Sequence, residues 1–222
     1  MSNPPVSTPR TERAELVEHA ERWGSFVLVN ILWALLCIPL VTIPAATAGL
    51  FAYWSTRTRG FQTDVFSAFF GGVRAHWLKA TLIGIVDLVV GGLVVLNTSI
   101  FAHMDMTGDP IAFLSRSVTL FAAAALVMVN LYAWPLLVML DDMSVKQVLL
   151  SSLRLIAVHP LQSFLWSLAV VFPVMVTLFL PRGFIVLVTA SVCAWIACVG
   201  TWPVIQDHLS AEQIESLLPT KH

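Results

Sequence analysis

With 222 residues, 58% of them hydrophobic and 11% charged, the chain has too little polar surface for a soluble domain, in which about 25% of residues are charged. A net charge of -1 excludes the global basic field that draws nucleic acid. Three cysteines make no disulfide framework: Cys37 stands alone, and Cys193 and Cys198, five apart on a helix, point to different faces and cannot bridge.

Residues 1–22 form a polar N-terminal tail. Met1 to Pro9 is rich in Ser, Thr and Pro without an apolar period and reads as disordered. Thr11 to Arg22 reads as a short charged helix, with Glu15–His19 and Glu18–Arg22 at i,i+4 spacing. The tail lacks the basic start, short apolar core and small-residue cleavage site of a signal peptide, so the first apolar run is expected to stay in the mature protein. Residues 23–205 then form the membrane domain. Five apolar runs begin near Gly24, Trp77, Ser117, Leu161 and Gly183 and end near Leu50, Phe101, Leu140, Leu180 and Val204. A helix crossing a hydrocarbon core of roughly 30 Å needs about 20 residues, and each run supplies them. The expected fold is all-α: a polytopic bundle of five transmembrane helices with two interfacial amphipathic helices.

The first run carries Asn30, Trp33, Pro39, Thr42 and Pro44. Two prolines five apart remove hydrogen bonds and should kink or break the helix in its second half. Such a break is tolerated in lipid where neighbours satisfy the freed groups, so this half-helix is expected to be buried in protein. Ala45, Ala48, Gly49 and Ala52 place small residues where another helix can approach closely. After Arg57 and Arg59, residues Val65, Phe69 and Val73 share one face of an interfacial helix capped by Thr63, and Trp77 and Lys79 anchor the second run. A similar device follows the third run. There Asp141 and Asp142 lead into Ser144-x-x-Gln147, a capping box, and then Val145, Val148, Leu149, Leu153 and Ile156 on one face. The two segments align without gaps, which suggests a duplicated unit of span, interfacial helix and span.

The third run opens at Asp109-Pro110 and should bend at Trp134-Pro135; the fourth holds Pro173 and stops at Pro181-Arg182-Gly183. The fifth closes at Thr201-Trp202-Pro203. A polar C-terminal tail, residues 206–222, carries Leu209, Ile214, Leu217 and Leu218 and could form one more surface helix. Counting Lys and Arg beside five crossings puts Arg57, Arg59, Arg74, Lys79, Lys146, Arg154 and Lys221 on one side, hence inside. The N-terminus is then expected outside and the C-terminus inside.

The segment N-I-L-W-A-L-L-C-I-P-L-V-T-I-P-A, Asn30 to Ala45, resembles the opening signature of the YesL-like family, bacterial integral membrane proteins with a domain of unknown function. Asn30, Leu32, Trp33, Pro39, Thr42, Pro44 and Ala45 fit that pattern. Phe69 to Thr81 is similar to the family's second block and Tyr132 to Pro135 to a third, so the resemblance runs from about Trp23 to Leu180. The longer charged N-terminal tail departs from it. The resemblance implies a bacterial cytoplasmic (inner) membrane and hints at a role in sugar uptake; it supplies no catalytic residues.

Asp87 lies near the middle of the second run, where an ionised carboxyl costs on the order of 3 kcal/mol and calls for a polar partner. Asn30, Asn130 and a carbonyl released near Pro39 are the candidates. Ala80, Gly84, Asp87 and Gly91 share a face suited to close helix packing. Asp87 with Asn30, Thr42 and Asn130 is the candidate intramembrane polar site, read either as a proton or ligand site or as hydrogen bonding that holds helices together. Asn30 and Thr42 can satisfy carbonyls freed by the prolines, or the broken helix can present backbone to a ligand. His103-Met104-Asp105-Met106 mixes soft and hard donors in one loop, without a second cluster to make a metal site. No phosphate-binding loop, nucleophile elbow or His-Glu-x-x-His helix occurs, so no catalytic residues, cofactors or metal are expected. Arg57, Arg59, Arg74 and Arg154 are expected to meet anionic lipid headgroups. The reading is a non-enzymatic membrane protein, an accessory or partner subunit linked to carbohydrate uptake. Its expected partners are the lipid bilayer and sugar ABC importer subunits, without nucleic acid. The alternative is a small transporter or channel around Asp87.

Overall fold

A computed structural model describes residues 9–101, 110–177 and 182–209, with Ile214, Leu217 and Leu218. Among these residues every regular element is helical. The elements are α1 (Pro9–Leu36), a 3-10 turn (Leu40–Thr42), α2 (Ile43–Thr58), α3 (Val65–Phe101), α4 (Pro110–Met139), α5 (Val145–Val158), α6 (Pro160–Thr177) and α7 (Arg182–Gln206). Four segments are long and apolar enough to cross a membrane: Val65–Ile100, Pro110–Met139, Pro160–Thr177 and Val188–Gln206. The chain is therefore an all-α, polytopic, multi-pass bundle.

The first apolar run departs from the expected single span. It breaks at Cys37–Pro39 and folds back on itself, so that α1 and α2 lie antiparallel. The Phe26 and Trp54 rings meet edge to face at 5.9 Å, and Trp33 Nε1 donates to Thr47 Oγ1 at 3.4 Å. The apolar arm Trp23–Leu36 and the 16-residue α2 rise about 21–24 Å at 1.5 Å per residue, short of a hydrocarbon core of roughly 30 Å. This run is a helical hairpin whose arms are each shorter than a span.

The chemistry of the apex explains how the turn survives in hydrocarbon. Ile38, Leu40 and Val41 are 74–79% exposed, so the turn presents apolar side chains outward. Pro39 and Pro44 bring no N–H to satisfy. Thr42 N–H donates to Pro39 O at 2.9 Å, and Thr42 Oγ1 reaches both Leu36 O and Pro39 O. The freed carbonyls are thus capped from within.

The second half of the run is buried, as its small residues require. Ala45, Ala46, Ala48, Gly49 and Leu50 are all enclosed, and α2 lies antiparallel against the first half of α3. A Cβ placed on Gly49 would lie 2.6 Å from Val73 Cγ2, and one on Gly72 would lie 2.3 Å from Ala52 Cβ. Farther along α3, a Cβ on Gly84 would meet the Pro44 ring at 2.4 Å. Close approach of the two helices depends on these hydrogens.

α3 corrects a second expectation. No break separates an interfacial helix from the second span: 37 residues run as one helix, about 55 Å at 1.5 Å per residue. Its start is held by Asp64, whose Oδ2 accepts from Ser67 N–H at 3.0 Å, in the capping role expected of Thr63. Packing of Val65, Phe69 and Gly72 against α2 keeps this segment helical into the span. The other interfacial segment does form its own helix, α5, with the expected capping box between Ser144 and Gln147. A duplicated unit is therefore not reproduced at the level of helices.

α4 returns antiparallel to α3 and continues as helix through Pro135. α6 and α7 form a second antiparallel pair: Gly200 lies against Trp166, and Cys193 Sγ lies 3.5 Å from Val170 O. Tyr132 Oη and Ser163 Oγ, 2.9 Å apart, tie α4 to α6. The core sits where α2, the first half of α3 and the last halves of α4 and α7 converge, around Tyr53, Phe69, Ile83, Tyr132 and Leu137. This is the basal end of the bundle. All three cysteines are free thiols.

Because α1 folds back, Trp23 lines the same groove as Arg57 and Trp202. The start of the bundle and the end of its last helix thus share the basal end. The expected placement of the two termini on opposite faces counted the first run as one crossing, whereas the structure holds it as two antiparallel arms. Asp109 and Pro181, read as helix boundaries, lie outside the described residues, as does most of the C-terminal tail.

Candidate functional site

Three polar contacts join α3 to α4 and the turn that follows it, at successive heights. The middle one contains Asp87. Asn130 Nδ2 donates to Asp87 Oδ1 at 2.8 Å and to Leu126 O at 3.1 Å, while Trp134 Nε1 donates to Asn130 Oδ1 at 2.7 Å. The Trp134 ring stacks on Phe51 of α2, with centroids 5.9 Å apart and planes inclined by 20°. A relay therefore runs from α2 through Trp134 and Asn130 to the carboxyl group. It meets the requirement that a polar group in hydrocarbon have a partner, and Asn130 is one of the expected candidates.

The other two proposed members do not join it. Asn30, fully buried on α1, donates to Phe26 O at 2.8 Å, while its Oδ1 has no partner. Thr42 is engaged at the hairpin apex. Asp87 lines a shallow groove along one side of α3 with Leu88, Gly91, Gly92, Val95 and Ser99, so the carboxyl stands between the α3–α4 seam and the outer face of α3. Such a site can accept a hydrogen bond or hold a proton. Among the described residues no group of three His, Cys, Asp or Glu side chains could hold a metal, and the His103–Met106 loop lies outside them.

The outer contacts were not found from sequence. Far from the base, Asn97 Nδ2 donates to Ser115 Oγ at 3.2 Å and to Thr119 Oγ1. At the base, Asp141 Oδ1 lies 3.3 Å from His76 Nε2, and Lys79 Nζ donates to Asp141 O. A basal pocket of about 610 Å³ continues from here, bounded by Asp141, Asp142, Arg154, His208 and Leu217. His159 and His208 meet edge to face at 5.5 Å beside it. The sequence signal for the basal contact is the pair of aspartates that ends α4, and its partner stands 65 residues earlier on α3.

A helical hairpin followed by a polar-seamed pair of long apolar helices defines an all-α membrane protein with a buried small-residue interface. Residues 26–98 match the family described as "Protein of unknown function, DUF624", to which YesL-like proteins belong, and the resemblance to that family holds over this stretch. The match takes in the hairpin, the α2–α3 interface and Asp87, and it stops short of the third block at Tyr132 to Pro135. Comparisons with curated proteins and with solved structures give no match.

Proposed function

We propose that the protein is a non-enzymatic subunit of the bacterial inner membrane that works by docking its outer α3 face on a partner membrane protein. The observation that supports this is the groove beside Asp87. Gly92 leaves α3 backbone open there: nothing lies within 4 Å of a Cβ built on it. A carboxyl group at the edge of such a groove can accept an interhelical hydrogen bond from a partner helix. The family resemblance favours permease subunits of sugar importers as that partner, and hence a role in carbohydrate uptake. Charge supports an orientation with the basal end inside. Arg57, Arg59, Arg74, Lys79, Lys146 and Arg154 lie at or beside it, and α1 adds Arg10, Arg13 and Arg22, against Arg116 and Arg182 at the far end. Trp23, where the hairpin begins, and the end of α7 then both face the cytoplasm.

The test is a photo-crosslinking residue at Gly92 or Leu96 in cells, with Phe121 on the exposed face of α4 as control. Adducts to an importer permease from the α3 positions alone are expected. Adducts that are absent, or equal from α3 and α4, would remove the reading. A transporter reading is favoured by one feature, the Asp87–Asn130 pair within the span, and it predicts proton-coupled uptake lost in Asp87→Asn.

A further inference from the structure

A groove of about 950 Å³ lies between α1, the last turns of α2 and α7. Its polar groups cluster at one end. Trp54, Arg57 and Thr58 come from the basal end of α2, and Trp54 Nε1 and Thr58 Oγ1 are buried without a hydrogen-bond partner. A buried donor without a partner costs on the order of 1–3 kcal/mol, so two side by side beside a cation point to something that accepts from them. Arg57 donates to Tyr53 Oη at 3.3 Å, and its guanidinium lies 6.0 Å from that ring. Among the described residues the ion pair formed is His76–Asp141, so no carboxylate there neutralises Arg57.

The rest of the groove is apolar. Val188, Val192, Trp195, Val199 and Trp202 form a stripe along α7 at three- and four-residue spacing, facing Phe26 and Val27 of α1. From Trp202 to Val188 the stripe rises about 21 Å at 1.5 Å per residue. Trp23 and Trp195 remain exposed at its edges, as aromatic side chains do beside lipid.

We propose that this groove is a binding site for an anionic phospholipid. The phosphate accepts from Arg57, Trp54 Nε1 and Thr58 Oγ1, and an acyl chain runs along the α7 stripe toward Val188. Charge and donors select the headgroup; the length and apolar lining select a tail. The donors stand within one turn of α2 at one end of an apolar stripe, the arrangement that a headgroup with a tail requires. The site stands apart from the α3 groove and does not depend on how that face is used.

The test uses the purified full chain and native mass spectrometry, with phosphatidylglycerol and phosphatidylcholine of matched acyl chains as probes. Wild type should retain phosphatidylglycerol in preference. Arg57→Gln should cut that preference about fivefold, the worth of one basic side chain at an anionic surface. Trp54→Phe and Thr58→Val should each cut it while keeping ring or shape. Val192→Trp, which fills the tail groove and leaves the donors intact, should lower retention of both lipids. Arg154→Gln, an exposed basal cation outside the groove, should change nothing. Equal retention of the two lipids by wild type would overturn the proposal. So would a preference lost in Arg154→Gln and kept in Arg57→Gln, or a dimer crosslinked through Trp195 that excludes lipid.

Discussion

Gly71 and Gly72 are neighbours on α3, yet replacing them with alanine should have opposite effects. Alanine in a helix gains about 1 kcal/mol over glycine through propensity, so both substitutions begin with the same advantage. At Gly71 nothing lies within 4 Å of the added Cβ, and that advantage survives. At Gly72 the Cβ would lie 2.3 Å from Ala52 Cβ and 3.3 Å from Ala48 O and Gly49 Cα. Carbon atoms rest at about 3.5–4.0 Å, so the helices must part by more than about 1 Å. The obstacle is a methyl fixed to backbone, which cannot rotate away. Overpacking of this kind costs about 1–3 kcal/mol, and the two alanine variants should differ by about that much. Ala52→Gly removes the opposing methyl and should recover most of the loss in the double variant. The assay is equilibrium unfolding in mixed micelles by titration with a denaturing detergent. Equal stability of Gly71→Ala and Gly72→Ala would refute the packing argument.

At the hairpin apex, Thr42→Val should destabilise by about 1–3 kcal/mol, because Leu36 O loses its donor while Pro39 O keeps the Thr42 N–H, whereas Thr42→Ser should stay near wild type in the same titration. Asp87→Ala should cost about 0.6 kcal/mol, and at most about 1.7, the range for interhelical hydrogen bonds in membranes. Asp87→Asn should match wild-type stability, and an Asp87→Asn variant that fails to fold would show that the carboxylate itself is required. Ser144→Ala should cost about 1 kcal/mol by removing the α5 cap, seen as faster amide exchange at the start of that helix. Reporter fusions at the two chain ends should both report the cytoplasm; an external N-terminus would contradict the hairpin.

Local chemistry made much of the architecture legible. Apolar run length and low charge settle that the chain is a helical membrane protein, because a backbone in hydrocarbon must satisfy its own hydrogen bonds. The prolines at 39 and 44 announce a break, Ala45 to Ala52 announce a tight helix contact, and Ser144-x-x-Gln147 announces a cap. All of these act within a few residues. Whether the break was a kink or a reversal depended on distant partners: Phe26 against Trp54, and Pro44 against Gly84. That reversal replaced one expected span by two short antiparallel arms and set Trp23 in one groove with Trp202. α3 likewise runs unbroken because α2 packs against its first turns, which no local propensity encodes. The need of Asp87 for a partner follows from the cost of a bare carboxyl in lipid, and so is written in the sequence. The choice of Asn130 over Asn30 is not, since it depends on how α3 and α4 align side by side. The same holds for the His76–Asp141 contact and for the α7 stripe that Arg57 faces, which come together only once helices far apart in sequence are packed.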